Sequence, residues 1–118
     1  MKKVMLGVVV SCLCASLTLL AQGSKTFTGE IMDSQCAKMG SHEHMMKMHT
    51  DVKTSKQCTL ACVKMGGKFV LFDPATKTVY QLDDQQKTMA FAGEQVKIMG
   101  SLNASTNTIH VTSITKAS

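Results

Sequence analysis

Between an alternating run of apolar and polar residues and a second strand-like run lies a stretch that can be neither a strand nor one uninterrupted helix. It runs from Asp33 to Gly67, DSQCAKMGSHEHMMKMHTDVKTSKQCTLACVKMGG. It carries Cys36, Cys58 and Cys62, His42, His44 and His49, and Met39, Met45, Met46, Met48 and Met65. Any fold open to this chain has to carry the stretch as an insertion. The fold must also supply a scaffold from the shorter, strand-like pieces on either side.

Those pieces are legible in order. In Thr26–Asp33, Phe27, Gly29 and Ile31 alternate with Thr28, Glu30 and Met32, the period of two of a half-buried strand. Gly29 inside it marks a bend or bulge of the kind a barrel needs. Asp33–Lys53 follows neither period and reads as a long loop with one helical turn at Glu43–Met48. A loop of that length in a small domain is usually functional or disordered. Thr54-x-x-Gln57 then has the form of a capping box. It predicts a helix to about Met65, stopped by Gly66-Gly67, with Cys58 and Cys62 one turn apart on one face. Lys68–Asp73 and Thr78–Leu82 form a hairpin around Pro74. Asp83-Asp84 can cap a short helix Gln85–Ala92 ended by Gly93. Glu94–Leu102 puts Val96, Ile98, Gly100 and Leu102 on one face. In Thr108–Lys116, Ile109 and Val111 face in and Ile114 falls out of phase, which predicts a bulge near Ser113. Met32, Met65, Met89 and Met99 are expected in the core.

The chain's start has a different character. Lys2 and Lys3 precede an almost wholly apolar run, Val4–Ala21, and Ala21-Gln22-Gly23 supplies small residues for cleavage. This is the layout of a secretory signal peptide over residues 1–23, with residues 24–118 as a single exported domain, periplasmic or secreted. Cys12 lies inside the apolar run, too early for a lipid-anchoring cysteine. The membrane is therefore met only through the leader. Loss of Lys2 and Lys3 lowers the net charge from +5 to +3. All 13 basic residues are lysines, which argues against the bidentate phosphate recognition that arginine provides. The few aromatic residues are needed for a core rather than for stacking on bases. No nucleic-acid partner is expected, and no protein partner can be named.

The order strand, long insertion with helix, strand, strand, short helix, strand, strand is that of a five-stranded OB-like barrel, mainly β with one or two short helices. In that barrel the loops commonly bind the ligand. A small open sheet on one helix is the competing architecture. The segments GEIMDSQC, then histidines, then CTLACVKMGGKFVL, FAGEQVKIMGSL and TIHVTSI resemble a family of small secreted bacterial domains with an OB-like barrel and no assigned function. The D-x-x-C and C-x-x-x-C-V-K-x-G parts carry the resemblance. It implies that Cys36, a histidine, Cys58 and Cys62 belong together, and it implies no activity.

Three thiolates and an imidazole can close a tetrahedral shell around Zn²⁺. Cys36, Cys58 and Cys62 with one of His42, His44 or His49 are the candidates, and His44 or His49 is the expected fourth donor. Met45, Met46 and Met48 add thioethers, soft donors that favour Cu(I). The chain is also similar to periplasmic copper-binding OB proteins that use Met and His. Those place a tryptophan beside the metal, and this chain has none. The expected function is a non-catalytic metal buffer, carrier or structural module for Cu(I) or Zn²⁺. Two alternatives stand beside it. Exported cysteines usually pair, so Cys36 could bridge to Cys58 or Cys62 in a secreted binding domain. A thiol redox protein is the third reading. Catalysis has little support, because no third group stands out to orient a Cys/His pair and no phosphate-binding loop is present.

Overall fold

The alternation of the first strand signal is realised as β1 (Lys25–Asp33) in a computed structural model that describes residues 23–117. Apart from Gly23, the expected leader lies outside the described residues. After β1 come α1 (Ser34–Met39), α2 (Glu43–Met48), α3 (Ser55–Lys64), β2 (Phe69–Asp73), β3 (Thr78–Leu82), α4 (Gln85–Met89), β4 (Gln95–Asn103) and β5 (Thr108–Lys116).

β1 closes the barrel by serving two neighbours. Its first part, Lys25 to Glu30, pairs antiparallel with Gly100 to Gln95 of β4. From Glu30 to Asp33 it pairs with Phe72 to Phe69 of β2. A hairpin joins β2 to β3, and a short parallel contact sets Gln81 and Leu82 beside Thr108 and Ile109 of β5. The ring reads β1-β2-β3-β5-β4, so the chain forms the closed OB-like barrel and not the open sheet. Gly29 stands where β1 changes neighbours. A Cβ there would come 2.2 Å from the Phe72 carbonyl oxygen, so this strand crossing requires glycine.

The expected bulge is present. Met99 faces Ser113 and Gly100 faces Val111, which leaves Thr112 without a partner residue. The extra residue lets Val111 and Ile114 both turn inward.

Apolar residues form two layers rather than one. Ile31, Phe69, Leu71, Val96, Ile98 and Ile109 fill the barrel. Met32, Val70 and Phe72 point the other way, and with Cys36, Ala37, Cys58 and Cys62 they form a second buried cluster outside the wall. β2 is buried on both faces from Phe69 to Phe72, because α1 and the cluster that holds Cys58 and Cys62 cover its outer side. A continuous apolar run such as Phe69–Phe72 is the pattern of a strand covered on both sides.

Several local expectations need correction. The segment Asp33–Lys53, expected as loop, contains α1 as well as the expected turn at Glu43–Met48. Asp33 accepts a hydrogen bond from the Cys36 N–H at 3.0 Å and caps the helix, and Gly40 ends it at φ +78°. α4 stops at Met89, short of Ala92. Asp84 caps it, whereas Asp83 accepts instead from the Val111 N–H and pairs with His110. Of the four methionines expected inside, only Met32 is buried; Met65, Met89 and Met99 lie on the surface. In α3 the Thr54 hydroxyl accepts from the Gln57 N–H as expected, but the Gln57 side chain reaches the Lys53 N–H, one residue before the usual partner.

Candidate metal centre

Four short-range devices bring the donors together. Asp33 ends β1 and caps α1. Cys36 occupies the first turn of that helix, whose short length is fixed by Asp33 and Gly40. His42 lies in the turn that opens α2. Cys58 lies in the first turn of α3, which packs on β1. One carboxyl oxygen, two sulfurs and one imidazole nitrogen, from Asp33, Cys36, Cys58 and His42, lie within 4.8 Å of one another. All four residues are buried, with the Cys36 and Cys58 sulfurs 3.7 Å apart. All three cysteines of the described residues are free thiols.

The hydrogen bonds within the group are unequally shared. His42 Nε2 lies 2.5 Å from Glu30 Oε2, which rises from the outer face of β1. Its Nδ1 is buried with no partner. Asp33 uses Oδ2 for the cap, while Oδ1 is buried and unpartnered. A buried polar atom left without a partner costs about 1–3 kcal/mol. Two such atoms, both of ligand type and both on residues of the converging group, fit a cation better than they fit an apolar core.

The thiols are shielded. Burial, then the hydrogen bond and charge of Asp33, then Cys58, push the Cys36 thiol well above its ordinary range. Burial first, then Asp33 and Cys58, push Cys62 up to about 11. Such thiols hold their protons at neutral pH and are poor nucleophiles. A metal ion would reverse this, because coordination deprotonates a thiol outright.

Of the remaining sequence candidates, Cys62 is buried one turn after Cys58 in the same apolar cluster. Met45 and Met46 pack against that cluster. His49 is exposed and lines a cavity that reaches Cys58 and Cys62. His44 and Met48 are exposed on α2, and His44 is outside the group of converging donors. The histidine that meets the sulfurs is thus His42. Asp33 and Glu30 were not singled out as site residues. Asp33 had a signal in D-x-x-C, which places a capping carboxyl three residues before a cysteine. Glu30 had none beyond its outward phase in β1.

No family model, no curated protein and no solved structure matches the chain. Among the described residues, no helix is long and apolar enough to cross a membrane.

Proposed function

We propose that this is a small exported, non-catalytic metal-binding domain, a buffer, carrier or structural module for Cu(I) or Zn²⁺. The convergence of the four buried donors Asp33, Cys36, His42 and Cys58 carries the reading. Cys36 and Cys58 would bind as thiolates, His42 through Nδ1, and Asp33 through Oδ1. Glu30 would hold the far nitrogen of His42, the usual role of a carboxylate behind a metal-bound imidazole. Cys62 is the alternative to Asp33 and would give the Cys₃His set of a closed zinc site. A bound ion would tie β1, α1, α2 and α3 together, so its binding energy would also be folding energy.

The shielded thiols weigh against a redox protein, which needs an exposed, activated thiolate. A structural disulfide keeps one supporting observation, since the Cys36 and Cys58 sulfurs stand 3.7 Å apart. Native mass spectrometry of the exported protein decides between the readings. The metal reading expects one retained Zn²⁺ or Cu(I), lost in C36S, C58S and H42A. A metal-free protein lighter by two hydrogens, with one reactive thiol left, would establish the disulfide instead.

A further inference from the structure

The buried donors are flanked by a second, softer set. The lining of a cavity of about 290 Å³ includes Met45, His49, Val52, Cys58, Cys62 and Met65, with Asp51 and Lys64 adding one charge of each sign. Cys58 belongs both to this cavity and to the converging donors. Met65 is 68% exposed, so its side chain adds little to the core. His49 is exposed beside it. Two thioethers, one imidazole and two thiols therefore line a single opening, with the exposed donors outside and the buried sulfurs inside.

We propose that this cavity is a docking site for a monovalent soft ion, Cu(I) or its analogue Ag(I), which passes from Met65, His49 and Met45 through the Cys58 sulfur to the buried donors. The proposal rests on the reading of those donors as a metal centre. Thioether sulfur favours Cu(I) over Zn²⁺, so the cavity selects the ion that the buried set alone does not. Each exchange forms one metal–sulfur bond and then breaks another. The ion's oxidation state does not change, and each thiol releases its proton to solvent as it binds. Structural packing explains Met45 and Val52 here. It does not explain an exposed thioether and an exposed imidazole at the mouth of a cavity floored by two thiols.

The test uses protein expressed from the whole sequence, purified and reduced without oxygen. Cu(I) is offered as its coloured bicinchoninate complex, and its loss is followed by stopped-flow absorbance. In the double variant H49A/M65A, both changes are at the surface, and circular dichroism verifies that the fold is kept. Its initial rate of Cu(I) uptake should fall about ten-fold or more, while the amount held at equilibrium changes little. C36S should keep the fast phase and lose retention. Uptake by H49A/M65A at the wild-type rate, with C36S still deficient, overturns the docking site and leaves the buried centre standing. Wild-type protein that binds Zn²⁺ but takes no Cu(I) has the same consequence. Protein that holds neither ion overturns both.

Discussion

Adding a metal ion should raise the thermal stability of this domain by a predictable amount, and Cys58 should be required. The buried donors come from the end of β1, from α1, from the turn before α2 and from α3. The site is assembled only in the folded chain, so an ion that fills it acts as a ligand of the native state. At a free concentration about 100 times Kd, the stabilisation is about 2.7 kcal/mol. Residues 23–117 form a domain for which each kcal/mol moves Tm by about 4–8 °C. The expected rise is therefore roughly 11–22 °C, reduced to the extent that unfolded thiols also hold the ion. The assay is a calorimetric scan of reduced protein with a chelator, then with Zn²⁺, then with Cu(I) under anaerobic conditions. In C58S the rise should shrink to a few degrees, because the variant loses the sulfur shared by the buried set and the cavity. A rise that is the same in C58S as in wild type would refute the reasoning, since the ion would then be held elsewhere. No rise with either ion would refute it as well.

Asp33 has two roles that substitution can separate. D33A removes the helix cap and should cost about 1 kcal/mol in chelator, read from urea unfolding. D33N keeps an oxygen for the Cys36 N–H and should change stability little, while weakening ion retention. Gly29→Ala would force a Cβ to 2.2 Å from the Phe72 carbonyl. It should cost about 1–3 kcal/mol or more, and a neutral result would show that the β1 crossing is looser than described. Asp83 is held below the usual carboxylate range, first by the Val111 N–H and then by His110. Its contribution to stability is therefore present above the ordinary carboxylate range and is lost as pH falls through its lowered folded value. D83N should flatten the acid side of the stability profile, and identical profiles for the two proteins would dismiss the role.

The barrel was legible because its information is local and periodic. Phe27, Gly29 and Ile31 show the inward phase of β1 without any knowledge of the partner strand. The out-of-phase Ile114 announces the bulge at Thr112 that the register confirms. The site was legible in its sulfurs, which are few and cannot be hidden, but less so in its other donors. Among three histidines within eight residues, nothing local distinguishes His42. Its place depends on Gly40 ending α1 so that the chain turns back, and on Glu30 standing outward on β1 to receive its ring. Asp33 was obscured by having an adequate local explanation as a turn and cap residue. A capping carboxyl uses one oxygen and leaves the other unspent. Here that second oxygen is buried without a partner. The surface methionines make the converse point. Met65, Met89 and Met99 are apolar enough to be expected inside, yet the two apolar layers are completed without them by Ile, Val, Leu, Phe and Cys. Packing requires none of the three to be methionine, but only Met65 lines the cavity that reaches the buried sulfurs. A leucine should therefore serve as well at Met89 and Met99, and fail at Met65 only when Cu(I) uptake is measured.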